Sequence, residues 1–305
     1  CSFLTYWSII IMPFTVAIAP AIANIFIGFF AAGFLAKKLI KKEGIFIDRY
    51  ILFPFILFFI LSAVSFANTV SYSASWHGLL KIIKYMLIFI ACSEEIRDKK
   101  HLQRIIISIC CGVSLASIDA IWQLIFGYDF IRGNVSNREI GLIRPSASFS
   151  NCNILGIYLG ALTPLIIGLV LFYYKGKNMI LMLLPALLGV AGIYLTLSRG
   201  SGLAIYAAIM FLCVIGRKRN LIILLLVVLI IFPFVMPKNI KQWAKDEGYN
   251  PLVFMCNKDR ISIYSNTINM IKDHPFIGVG VNTFSRNYAK YKTEEAERYA
   301  HTIDT

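Results

Sequence analysis

The sequence predicts an all-α integral membrane protein, a polytopic helical bundle of about nine spans with a large extracytoplasmic (periplasmic) loop containing amphipathic helices. Three observations predict it. Of the 305 residues 58% are hydrophobic, and the mean hydropathy is +0.72, well above the usual share for a soluble domain. Several apolar runs approach the roughly 20 residues that a helix needs to cross a bilayer. Clusters of Lys and Arg recur between those runs in a regular alternation, as topology requires.

The spans are expected near 3–17 and 19–36, with Ala19-Pro20 between them, then near 50–67, 76–92, 105–126, 152–174, 179–197, 201–216 and 220–236. Lys37, Lys38, Lys41 and Lys42 follow the second span, and Arg97, Lys99, Lys100 and Arg104 the fourth. Lys175 and Lys177 follow the sixth; Arg217, Lys218 and Arg219 follow the eighth. Every even-numbered span is thus followed by basic residues, which the positive-inside rule assigns to the cytoplasm. The loop with Arg132, Arg138 and Arg144, the turn Ser198-Arg199-Gly200 and the segment 237–305 then fall outside. Arginine there does nothing for orientation, so an anion to bind is the reason to expect. The expected organisation is a transmembrane bundle over 1–236 and an extracytoplasmic loop domain over 237–305. The missing initiator Met and the missing closing span are read as marks of a longer protein with further spans.

Within the loop domain, Ile261, Tyr264, Ile268 and Ile271 recur at helical spacing, predicting an amphipathic helix from about Arg260. Pro275 stops it, because the residue before a proline is pushed out of the α region. Gly278 and Gly280 permit a tight turn, and Phe284, Tyr288 and Tyr291 mark a second helical pattern. Two readings of these apolar faces stand: they lie against the membrane interface, or they pack on each other.

Composition excludes several function classes. The net charge of +14 is explained by loop topology, which leaves no case for a nucleic-acid partner. The seven cysteines have no CxxC spacing, and no HExxH motif or DxD-like acidic pair accompanies the arginines and histidines of the outer side, so no metal site is expected. No Walker A or dinucleotide fingerprint is present. Arg199, in LTLSRGSG between two spans, is either an arginine snorkelling at the interface or an anion clamp at a helix N-terminus. Ser198 and Ser201 are placed to cap there, and Gly200 to turn the chain. Arg260 opens its helix beside the positive end of the dipole, where a cation is mildly unfavourable, and guanidinium grips phosphate in bidentate fashion. His301 can move a proton near neutral pH. His77 and His101 stand at span ends, and His274 precedes Pro275 in a turn.

Taken together, TLSRG at a span junction, RISIYSNTINMIKDHPFIGVGVNTF after a long hydrophobic block and a later Tyr-Ala-His resemble the O-antigen ligase and polymerase superfamily. RPSASFSNCNILGIYLG resembles its Arg–Phe–Asn–Leu-Gly signature, with Arg144, Phe149, Asn153, Leu155 and Gly156 at the matching places. The similarity covers about residues 50–305. It implies a glycosyltransferase in the bacterial inner membrane that works on the periplasmic face without metal, nucleotide or other cofactor. The donor would be a glycan on undecaprenyl diphosphate, the acceptor lipid A–core or another glycan, with membrane lipid around both. By the resemblance Arg199, Arg260 and His301 are catalytic, and Arg144, Asn153 and Ser198 bind substrate. The family often has Asn directly after the histidine, where this chain has Thr302.

The mechanism so implied is displacement at the anomeric carbon by an acceptor hydroxyl. The two later arginines would stabilise the departing diphosphate and His301 would assist the hydroxyl. Arg144, Arg199, Arg260 and His301 are expected to face one outer pocket. A polymerase of the same superfamily is the alternative. An anion or solute transporter is the alternative from another class, and it predicts charges deep within spans.

Overall fold

Every expected span is a helix. The computed structural model describes residues 2–42, 49–96, 98–139, 142–235 and 258–292, with a few isolated positions besides. The helices are α1 (Ser2–Val16), α2 (Pro20–Lys41), α3 (Arg49–Val64), α4 (Tyr72–Glu95), α5 (Lys99–Phe126), α6 (Cys152–Phe172), α7 (Gly176–Thr196), α8 (Arg199–Ile215) and α9 (Arg219–Val235). A 3₁₀ turn over Ser65–Asn68 prolongs α3. Two loop helices follow, α10 (Lys258–Asp273) and α11 (Phe284–Tyr288). Among the described residues six helices are long and apolar enough to cross a membrane, namely α2, α3 with its 3₁₀ turn, and α4 to α7; α1, α8 and α9 are apolar but shorter. The hairpin of β1 (Asn137–Glu139) and β2 (Leu142–Arg144) adds a small sheet to the expected all-α architecture.

The helices outrun the apolar runs, because hydropathy ends at the first charge whereas lysine continues a helix readily. Thus α2 passes through Lys37 and Lys38 to Lys41, and α5 begins at Lys99, capped by Asp98. Ser71 caps α4, so this helix starts at Tyr72 rather than near 76. Lys81 and Lys84 therefore lie in mid-helix. Pro54, Pro164 and Pro185 do not break their spans; α3, α6 and α7 run through them, as neighbouring helices allow in a membrane.

By contacts the chain divides into two compact units that are discontinuous in sequence. Cys1–Gly33 with Asp98–Gly248 forms the first, and Phe34–Arg97 with Tyr249–Thr305 the second. In the first, α7 packs between α5 and α6, with α1 on α5 and α8 on α6. Its core joins Val113, Ala116 and Ala120 of α5 to Leu155, Leu159 and Ile166 of α6 and Ile193 of α7. Small residues set the close approaches: Gly189 lies against Thr163, Gly192 against Ser117 and Leu159, and Gly156 against Ser198 and Ser201. Packing without side-chain bulk is how helices associate where lipid removes the hydrophobic drive between them.

In the second unit, α3 packs on α4, and the turn between α10 and α11 docks on the connection between them. Asn68 Nδ2 donates to Gly278 O at 3.1 Å, Ser75 Oγ to Val281 O at 2.9 Å, and Asn282 Nδ2 to Ala74 O at 3.1 Å. Gly78 and Gly280 leave the space for this approach; a Cβ on Gly280 would stand 2.8 Å from Thr69 Oγ1. Gly280 also has φ +96°. Gly280→Ala is thus expected to cost roughly 1–3 kcal/mol, and more than Gly278→Ala, whose Cβ would meet nothing. Thermal midpoints of the two variants in detergent test it; equal losses would exclude the docking.

The ends of α2 and α4 are joined in the same unit by two ion pairs. Lys37 Nζ meets Glu95 at 2.7 Å, and Lys38 pairs with Glu94, with side-chain exposures of 11% and 5% for the second pair. Half of the basic cluster after α2 is therefore neutralised by the end of α4. Acidic residues contribute little to orientation, so the topological reading is unaffected.

Candidate functional site

The segment RPSASFSN builds one side of the site. Pro145 holds Arg144 in extended backbone, and Arg144 closes β2 opposite Asn137. Ser146, Ala147 and Ser148 are buried, and Ala147 takes φ +50°. Phe149 N returns to Ser146 O at 3.1 Å. Asn151 Oδ1 then caps α6 through Ile154 N at 2.9 Å, which sets Asn153 in the first turn of that helix.

The segment LTLSRGSG builds the other side. Thr196 ends α7, and its hydroxyl donates to Ile193 O at 2.7 Å. The chain reverses at Leu197, which is left-handed at φ +50°, and not at Gly200, the second residue of α8. A bulky residue in that region is uncommon and costly. Ser198 stands at the N-cap of α8 without making the expected cap bond. Its hydroxyl instead meets Ser201 Oγ at 3.1 Å, because Gly156 lets α6 press both serines together.

Arg144 links the two sides. Its Nε donates to Thr196 O at 3.0 Å and its Nη2 to Asn153 Oδ1 at 3.3 Å. Both acceptors are neutral oxygens, and the two bonds aim the guanidinium. Arg199 is the first residue of α8, half-buried, three positions beyond the carbonyl that Arg144 grips. Arg144 and Asn153 thus meet at the end of α7 in the first unit, and Ser198 and Arg199 follow in the chain at the start of α8.

The remaining candidates belong to other segments of the chain. Arg260 is exposed in the first turn of α10, in the second unit. His301 lies outside the described residues. His274 follows α10, where His274 N returns to Met270 O at 3.1 Å. The apolar faces of the loop helices do not bury each other. Tyr264, Ile268 and Ile271 are 52–58% exposed, whereas Asn266 and Met270 are buried. Asn266 Nδ2 reaches Tyr288 Oη at 3.2 Å. Tyr291 hydrogen-bonds the Asp273 carboxylate, which pushes its phenol above the ordinary range.

Sequence reading passed over a polar cluster at the end of α5. Asp119 and Gln123 are fully buried and Asp129 nearly so. Asp129 accepts from the backbone N–H groups of Ile131, Arg132 and Asn134, and Asp119 from that of Phe130 at 3.0 Å. The available signal was the spacing of Asp119 and Gln123, four apart on one face of an apolar helix.

Residues 184–304, about two fifths of the chain, match the family model for O-antigen ligase. The match begins within α7 and takes in Arg199, Arg260 and His301. Arg144, Asn153 and Gln123 precede it. No curated protein and no solved structure matches the chain.

Proposed function

We propose, for a chain whose residues 184–304 belong to the O-antigen ligase family, that it transfers a glycan from undecaprenyl diphosphate to lipid A–core or a related acceptor. The reaction takes place at the periplasmic face of the inner membrane. The observation that carries this reading is the clasp of Arg144 on Thr196 and Asn153 beside Arg199. It sets a guanidinium at a helix junction, and that group suits the diphosphate of a lipid-linked donor.

The acceptor hydroxyl attacks the anomeric carbon of the donor. A new glycosidic bond forms as the bond to the diphosphate oxygen breaks, and undecaprenyl diphosphate leaves. Arg199 and Arg260 stabilise the charge that grows on the leaving group, and such aimed charge is usually the largest single contribution to catalysis. His301 accepts the hydroxyl proton, an effect worth about 10²–10⁴-fold. Arg144, Asn153 and Ser198 hold the donor.

Arg199→Ala and Arg260→Ala are expected to abolish long-chain surface polysaccharide in cells that make the lipid-linked glycan. Unchanged polysaccharide in both variants would overturn the assignment. The ladder of a deletion strain separates the two family reactions. Bare lipid A–core indicates a ligase; single repeats still attached indicate a polymerase. One observation favours transport of an anion instead: Lys81 and Lys84 lie at mid-length of α4, the depth at which ionisable residues mark a pathway. Anion uptake into vesicles that is lost with Lys81→Met would support that reading.

A further inference from the structure

The clearest structure outside the arginine cluster is the buried amide of Gln123 near the C-terminal end of α5. This side chain is fully buried. Its Oε1 accepts from both Ser146 N and Ala147 N at 2.8 Å, and its Nε2 donates to Asn134 O at 2.9 Å. One amide therefore satisfies three backbone groups, one before β1 and two after β2. It ties together the two feet of the hairpin that ends in Arg144.

The foot after β2 needs such a tie. Ala147 is held at φ +50° and is fully buried, a conformation that costs an L-residue roughly 1–2 kcal/mol and persists only where its surroundings enforce it. Gln123 Oε1 meets that residue's own N–H. The neighbouring bonds act on the same two feet: Arg132 Nη1 donates to Ser148 O at 2.9 Å and Asn134 Nδ2 to Ala147 O at 3.4 Å. Arg144 is only two residues before Ser146, so any slip of this foot moves the guanidinium off Thr196 O and Asn153 Oδ1.

We propose that Gln123 is a positioning residue for the lipid-diphosphate donor: its buried amide sets the register of the hairpin and thereby the aim of Arg144. The proposal rests on the reading of Arg144 as a donor-binding residue. It is a claim about coupling between two side chains and not about stability alone, since an apolar side chain of similar volume would fill the same space on α5.

The test is a double-mutant cycle in the full chain, in membranes of cells lacking their own copy, with an undecaprenyl-diphosphate-linked glycan as the probe. Gln123→Met is expected to lower kcat/KM by about 10²-fold, the scale of a 1 Å misplacement, with Arg144→Lys giving a comparable loss. With both substitutions present, Gln123→Met should add less than about twofold to the loss from Arg144→Lys, because residues that act as one unit are not additive. Should Gln123→Met fail to accumulate, Gln123→Asn, which sets the amide back by one methylene, carries the same cycle. Losses that multiply would overturn the coupling while leaving the donor site intact. An Arg144→Lys variant with unchanged kcat/KM would overturn the aiming of Arg144, and an Arg144→Ala variant with unchanged kcat/KM would overturn the reading of Arg144 itself.

Discussion

Arg144→Ala is expected to reduce glycan transfer by about 10²–10³-fold, the usual effect of removing one aimed donor from a site where charge develops. The substitution removes the bonds to Thr196 O and Asn153 Oδ1 together. Arg144→Lys keeps the charge but should recover little. Lysine lacks the planar fork that reaches a carbonyl and an amide oxygen at once. Asn153→Ala should cost less than either, because Arg144 retains Thr196 O. Initial rates on membranes carrying matched amounts of each variant check this order. A lysine variant that transfers as fast as the parent would show that charge alone is needed there, and an alanine variant doing so would remove Arg144 from the site.

Breaking the pair between Lys38 and Glu94 is expected to have the largest effect on stability. Glu94→Gln takes the anion from a largely buried ammonium, which keeps the Gly44 carbonyl as an acceptor, a loss of up to roughly 3–5 kcal/mol. Lys38 also lies over the Phe34 ring, 5.6 Å from its centroid, so its stem is packed as well as its charge paired. Glu94→Gln should therefore lower the unfolding midpoint in detergent well below that of Glu95→Gln, because the Lys37–Glu95 pair is the more exposed. The double variant Lys38→Met/Glu94→Leu should recover most of the loss, since a packed apolar pair often equals a buried ionic one. A midpoint for Glu94→Gln no lower than that for Glu95→Gln would contradict the burial argument.

Much of the fold was legible because lipid simplifies the rules. Backbone groups in hydrocarbon must bond within their own segment, so each long apolar run becomes a helix. Pro275 ended α10 where expected, and the two glycines after it made the turn. The ends of spans were less legible: Lys37, Lys38 and Lys99 look like loop residues, yet they continue helices. In the site, Arg144 meets Asn153, a contact the spacing does not show, and the roles given to Ser198 and Gly200 shifted. A serine before a helix reads as a cap, but Gly156 on another helix brings Ser198 against Ser201 instead. The turn fell on Leu197, which no propensity favours.

Local chemistry in the chain was enough to determine the membrane-embedded helical class, the alternation of basic loops and the two loop helices, because each follows from spacing within one segment and the solvent around it. Tertiary structure alone decided which residues meet. Arg144 finds the carbonyl of Thr196 across 52 positions, Gln123 closes a hairpin it does not belong to, and Lys38 finds Glu94. Such contacts depend on which helix faces pack and at what height. That choice is made by small residues and by polar groups that need partners once buried, and neither leaves a periodic trace in the sequence.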